Sequence, residues 1–196
     1  MKNDTALTPR FDDALAYASE LHRSQVRKGT PVPYISHLLI VAGTVLDNGG
    51  SEDEAIAALL HDAVEDQGGT AVAAEIRERF GDPVADVVIA CSDADTTPKP
   101  PWRERKETFI ERLQNADASV RRVVAADKLH NAAATLRDYR KLGEALWERF
   151  NGGRVGTLWY YRSVTDALRA GGRTPLVDEL DQIVTELETA ARAVEH

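Results

Sequence analysis

Along most of the chain apolar residues return every three or four positions, and nowhere do they alternate strictly between turn signals, so the pattern predicts helices and no sheet. The first helix is expected from about Phe11 to Val26, with Phe11, Leu15, Ala18, Leu21 and His22 on one face, stopping near Lys28-Gly29. After a loop over Gly29 to Pro33, Ser36 caps a second helix, His37 to about Leu46, which closes at Asn48-Gly49-Gly50. Ser51, with Glu54 three positions on, has the spacing of a capping box for a third helix ending at Gly68-Gly69. Thr70 to Phe80 follows, then a helix opened by Asp82-Pro83 and running to about Ala94. The segment DTTPKPP, residues 95–101, holds three prolines and is expected to be a loop, because proline cannot continue a helix interior. Further helices are expected over Trp102 to Gln114, Ala118 to Tyr139, Leu142 to Phe150, Val155 to Ala170 and Pro175 to Ala193. The sum is an all-α bundle of about eight to ten helices.

Composition narrows what such a bundle can do. At 196 residues and 43% hydrophobic content, the chain supports one well-buried core, and residues 1–196 are expected to form a single domain. A formal charge of −8 argues against nucleic acid as a partner, since binding the phosphate backbone calls for a basic face. A small anionic ligand remains compatible with it if basic residues gather at the site. Cys91 is the sole cysteine, so no disulfide forms within the chain, which fits a reducing, cytoplasmic setting. No apolar run approaches the ~20 residues of a membrane span, and no membrane partner is expected. The amphipathic segment PLVDELDQIVTELETAARAV either packs on its own domain or offers a dimer surface, so a homo-oligomer stays open.

The unusual chemistry lies in LLHDAVED, residues 59–66. A helix that has just buried Leu59 and Leu60 carries His61, Asp62, Glu65 and Asp66 onward, and at spacing four these form two neighbouring rows on one surface. A solvated acidic face is the plain reading, yet Asp62 follows a run that should be entering the core. Adjacent histidine and aspartate suit a divalent transition metal. Two ligands do not fill a coordination sphere. His37, in PYISHLL, sits near the core beside an exposed helix start; a histidine so placed is as readily structural. Asp127 follows Val123, Val124, Ala125 and Ala126, where a buried acid needs a partner that a metal would supply, and Asn131 lies four residues on along the same face.

Taken together, His22, Arg27-Lys28-Gly29, Pro33-Tyr34-Ile35-Ser36-His37, HDAVED at 61–66, Phe80-Gly81 and ADKLHN at 126–131 resemble the HD-domain superfamily, specifically the hydrolase domain of RelA/SpoT-type alarmone enzymes, over roughly residues 11–140. The resemblance implies a single divalent ion, usually manganese, held by His37, His61, Asp62 and Asp127. It implies Glu65 and Asp66 as the catalytic acidic pair, Arg27 and Lys28 near the nucleotide base, and Asn131 close to ribose and phosphates. It implies the substrate too: a guanosine di- or triphosphate bearing a 3′-pyrophosphate, or the adenosine equivalent, cleaved to the nucleotide plus pyrophosphate. On a chain of this charge such a substrate needs cations, and Lys99, Arg103, Arg105 and Lys106 are the candidates, with Trp159, Tyr160, Tyr161 and Arg154 on the ribose side. His22 and His130 read as structural histidines supporting the site.

The expected match is to the hydrolase domain alone, with no synthetase. Gln67 stands where the family commonly has threonine, and PPWRERKE departs from the lysine-rich loop of guanosine-alarmone hydrolases. Two other readings therefore stand beside the first: another nucleotide phosphohydrolase, such as an NADPH phosphatase, and a catalytically silent nucleotide sensor.

Overall fold

The computed structural model describes residues 6–93 and 100–192, so Lys99 and most of the proline-rich loop lie outside the described residues. Among these it is all-α, with nine α-helices: α1 Pro9–Leu21, α2 Ile35–Asp47, α3 Glu52–Leu60, α4 Gly69–Phe80, α5 Asp82–Cys91, α6 Trp102–Gln114, α7 Ala118–Leu142, α8 Gly153–Ala170 and α9 Pro175–Arg192. A wide π-type turn spans Val64–Gly68, and a 3-10 segment spans Gly143–Arg149.

α1 starts as its sequence dictates, with Pro9 in the first turn and the Thr8 hydroxyl accepting from the Arg10 N–H. It stops a full turn earlier than periodicity predicts, at Leu21. The chain leaves the helix because residues 25–34 pair with themselves. The Arg27 N–H bonds to the Val32 carbonyl at 2.8 Å, the Tyr34 N–H bonds to the Gln25 carbonyl at 2.9 Å, and Val26 faces Pro33 in an isolated antiparallel bridge. Gly29 turns this hairpin at φ 71°, a conformation that side chains disfavour. Arg27 and Lys28 thus sit on a hairpin beyond the helix end.

Ser36 likewise does not cap α2. Tyr34 holds the cap position without a side-chain bond, and Ser36 lies inside the first turn. The Ser51 capping box forms as its spacing requires: the Glu54 N–H donates to the Ser51 hydroxyl, and the Ser51 N–H donates to Glu54 at 2.7 Å. The helix it opens does not reach Gly68 unbroken. α3 ends at Leu60, His61 and Asp62 form a turn, and the π-type turn follows, closed by the Gly69 N–H on the Val64 carbonyl. Gly69 takes φ 57°, so the chain changes direction there before α4.

α3 is the centre of the core. Ile56, Leu59 and Leu60 are fully buried, and the helix touches α1, α2, α5 and α7. Leu38, Val41 and Val45 of α2, Val84 and Val88 of α5, and Val123 and Ala126 of α7 close around it. α7 is 25 residues long, about 37 Å at 1.5 Å per residue, and carries the site on one side. α9 covers another side of α7, burying Leu176, Val177, Leu180, Val184, Leu187 and Ala191. The apolar stripe of the last helix is therefore spent inside its own chain. Arg162 clamps its outer edge, reaching Asp181 at 2.6 Å and Glu188 at 2.9 Å. No helix of the described residues is long and apolar enough to cross a membrane.

Glu54 ties this arrangement together, because its buried carboxylate serves both the α3 cap and Arg122 of α7. Burial alone would push its pKa up, but the Ser51 N–H and the Ser119 and Arg122 side chains hold it below the ordinary value. A carboxyl depressed in the folded state stabilises above its unfolded pKa, and that stability is lost as pH falls through the folded value. Glu54→Gln should cost about 1–3 kcal/mol at pH 7. Urea denaturation should show the gap to wild type closing below about pH 4.

Candidate active site

Three separate helices deliver the donors. His37 comes from the first turn of α2, His61 and Asp62 from the turn that ends α3, and Asp127 from the middle of α7. His37 Nε2 lies 3.2 Å from Asp127 Oδ1 and 3.6 Å from Asp62 Oδ2. His61 Nε2 lies 3.0 Å from Asp62 Oδ2 and 3.6 Å from Asp127 Oδ1. One donor atom from each of His37, His61 and Asp127 falls within a 4.8 Å sphere of separation.

The protons decide what this cluster suits. His61 Nδ1 is 2.8 Å from the Ala58 carbonyl, which can only accept, so a proton sits on Nδ1 and Nε2 faces the carboxylates. Burial would lower the His61 pKa, but Asp62 and Asp127 raise it well above the ordinary value. His37 Nδ1 is 2.7 Å from His130 Nδ1, with the rings stacked. Burial, and then the neighbouring His37 and Arg27, pull the His130 pKa down to about 4, so this ring is neutral and one proton lies between the two Nδ1 atoms. Both Nε2 atoms are buried without a hydrogen-bond partner. The two Nε2 atoms and the two carboxylates face one point, where protons on the imidazoles or a single cation offset the carboxylate charge. This is the ligand type and second-sphere orientation of a divalent metal site.

The carboxylates are held by their own partners. Burial would raise the Asp62 pKa, but the neighbouring His61 holds it well below the usual carboxylate range. Asp127 is likewise held down against burial, here first by the Lys128 charge. Tyr34 donates to Asp62 Oδ2 at 2.6 Å, and burial together with that charge pushes the phenol pKa up, so it stays a donor. Lys128 donates to Asp127 Oδ2 at 2.6 Å, and Asn131 donates to Asp127 Oδ1.

Above the donors opens a cleft of about 820 Å³. Asp62 and Asp127 reach its floor, and Glu65 and Asp66 stand on its wall. The structure also brings Arg27, Lys28, Asn131, Arg105, Lys106, Tyr160 and Tyr161 to its lining. Arg27 donates to Asn131 at 2.6 Å and lies over the Tyr34 ring, which fixes its guanidinium at the rim. Arg105 is 3.8 Å from Glu65; it and Lys106 both pair with Asp93, and Lys106 lies 4.6 Å from the Tyr160 ring centre.

Arg103 is not brought to this cleft. It is exposed, pairs with Glu107 one turn on and stacks over Trp159 at 3.3 Å, which holds it away from the cleft that Lys106 lines. Trp159 and Arg154 are absent from the lining too, and Arg154 bonds the Ala191 carbonyl of α9. Residues with no role assigned from sequence enter instead: Tyr34, Lys128, Arg137, Lys141 and Arg149. Tyr34 and Lys128 lie within the quoted motifs. Arg137 and Lys141 continue the α7 seam through Asp127, Asn131 and Ala134, so helical spacing from Asp127 would have found them. Arg149 carries no sequence signal. Eight cationic residues line the cleft against five acidic ones, so an acidic protein presents a locally positive site.

The HD-domain profile matches residues 14–158. The chain belongs to the HD-domain family. Within it, this HD-domain chain is 37% identical over 150 residues to the guanosine-3′,5′-bis(diphosphate) 3′-pyrophosphohydrolase MESH1 of Xenopus tropicalis, covering 75% of this chain and 77% of that protein. A guanosine-3′,5′-bis(diphosphate) 3′-pyrophosphohydrolase of Aquifex aeolicus is 47% identical over 75 residues, 38% of this chain and 10% of that much longer protein. Among solved structures, a metazoan SpoT ortholog described as hydrolysing ppGpp superposes with TM-score 0.76 at 28% identity, covering 92% of this chain and 96% of that one. A Listeria monocytogenes structure follows at TM-score 0.68 and 32% identity, covering 76% of this chain and 96% of that one.

The donor set makes a direct prediction. Elemental analysis of the purified protein should find one divalent ion per chain, and a His61→Ala, Asp62→Ala double variant should hold none. Chelation should lower the wild-type Tm and leave that of the double variant unmoved, since an ion present at a thousand times its Kd contributes about 4 kcal/mol.

Proposed function

We propose that this chain is a manganese-dependent hydrolase of (p)ppGpp-like alarmones, releasing the 3′-pyrophosphate and leaving GDP or GTP, or the adenosine equivalents. The observation that carries the reading is the pair Glu65 and Asp66 on the wall of a cationic cleft whose floor is Asp62 and Asp127, backed by the buried His37 and His61. The relatives' activity agrees with it. The substrate is a small, multiply charged anion and the setting is cytoplasmic.

His37, His61, Asp62 and Asp127 would hold the ion, which when bound polarises a phosphoryl oxygen and makes a nearby water acidic enough to attack near neutral pH. The side chains do the rest. Glu65 and Asp66 orient the attacking water and take its proton as its oxygen bonds to the 3′-phosphorus. The bond from that phosphorus to the ribose 3′-oxygen breaks, and the oxygen leaves as a hydroxyl after receiving a proton from the same acid pair. Arg105 beside Glu65 and Lys128 beside Asp127 offset charge on the departing pyrophosphate. Lys128 holds its proton firmly, because Asp127 outweighs the effect of burial. Arg27, Lys28 and Asn131 hold the nucleoside, with Tyr160 beside Lys106 on the opposite side.

Anion-exchange analysis after incubation with manganese and guanosine or adenosine tetraphosphate alarmones tests this. Wild type should release pyrophosphate, and Glu65→Gln or Asp66→Asn should lower kcat by roughly 10²- to 10⁴-fold while retaining metal. No release from either alarmone by metal-loaded protein would refute the reading; orthophosphate from NADPH alone would establish the phosphatase reading in its place.

A further inference from the structure

Behind Asp66 lies a group of polar side chains that the hydrolytic reading does not use. His22 is buried at the end of α1, and its Nδ1 is 2.7 Å from Gln25 Oε1. Gln67, from the π-type turn, places Nε2 at 2.6 Å from the same oxygen. Gln25 Nε2 in turn is 2.8 Å from Asp66 Oδ2.

Donor and acceptor rules leave this group one arrangement. A carboxylate oxygen only accepts, so the Gln25 amide nitrogen faces Asp66 and its oxygen faces inward. That oxygen only accepts as well, so His22 must carry its proton on Nδ1. Gln67 must then donate to Gln25, and its 3.3 Å approach to His22 Nδ1 is a meeting of two donors and not a hydrogen bond. We propose that His22, Gln25 and Gln67 form a relay of fixed direction that presents an amide donor to Asp66, making all three positioning residues for the acid pair. The inference rests on the hydrolase reading above.

The relay reaches both halves of the site. His22 also stacks on Tyr34 with ring centres 5.2 Å apart, and Tyr34 donates to Asp62. One buried imidazole therefore backs an acid on the wall and a carboxylate on the floor. Asp66 itself is exposed on a turn, where an unsupported side chain would sample several rotamers. The Gln25 donor selects one of them. The π-type turn contributes by bringing Gln67 toward α1 while Asp66 keeps its place in the cleft.

Gln25→Glu separates positioning from packing. The new carboxylate still accepts from His22 and Gln67, so the inner contacts survive, but Asp66 loses the Gln25 donor and meets a like charge. With ppGpp and manganese, kcat should fall by roughly ten- to a hundredfold, with KM and metal content close to wild type. His22→Phe should fall comparably, and His22→Asn, which returns an N–H to the Nδ1 position, should restore most of the loss. A wild-type kcat in metal-loaded Gln25→Glu overturns the proposal, as does equal loss in the two His22 variants. The relay is also read without turnover: ¹⁵N NMR of the imidazoles should show His22 protonated at Nδ1, and the opposite tautomer overturns it. Wild type inert toward ppGpp would defeat the hydrolase reading, and the tautomer would still decide the relay.

Discussion

Everything in this fold answers to four side chains that would not choose to meet. Two imidazole nitrogens and two carboxylates converge from α2, the end of α3 and α7, with both histidines and Asp127 buried and Asp62 partly open to the cleft. Each is separately trained on the point by a second bond: His61 by the Ala58 carbonyl, His37 by His130, Asp62 by Tyr34, Asp127 by Lys128 and Asn131. Such outer bonds fix ring orientation and ligand basicity. The packing of Leu59 and Leu60 beneath them is what lets α3 end at the required point, and the 25 residues of α7 carry core, ligand and cleft lining on different sides of one rod.

The electrostatic layout follows from the same constraint. A chain of net charge −8 cannot attract a polyanion by its overall field, so attraction has to be local. Acids elsewhere on the surface are spent on structural pairs, such as Arg77 with Asp82 and Asp86, and Arg162 with Asp181 and Glu188. Cations collect where hairpin, α6 and α7 face one another across the cleft. Several are held by acids that leave them oriented: Asp93 anchors both Arg105 and Lys106.

Much of this was legible in the sequence, for reasons that differ by residue. The helical class, the Ser51 capping box and the buried Leu59-Leu60 step depend on local periodicity, which one chain displays openly. His61, Asp62 and Asp127 were visible as charges placed where the pattern demanded apolar residues. The end of α1 was hidden because its continuation loses to the pairing of Arg27 with Val32 across the hairpin, a contact that helical spacing cannot register. The break after Leu60 was hidden because the wide turn over Val64–Gly68 is closed by the Gly69 N–H on the Val64 carbonyl, a bond that apolar periodicity does not register. Arg103 and Lys106 looked equivalent as neighbours in a basic run, and helical spacing leaves them side by side, but Arg103 is drawn onto Trp159 and Glu107 while Lys106 pairs with Asp93 beside Tyr160. Arg149 reaches the cleft across a distance in sequence that no motif spans.

The turn that carries Glu65 and Asp66 closes on two glycines, and at Gly69 the backbone takes a left-handed conformation before α4 begins. α4 then folds back on α5 and on the turn itself, with Val72, Ile76 and Phe80 buried. Val72 lies so close to Gly68 that a Cβ there would meet it at 2.7 Å. The helix beyond the site thus presses on the loop that carries the acids, and a larger residue at position 68 would be felt on both sides of the turn.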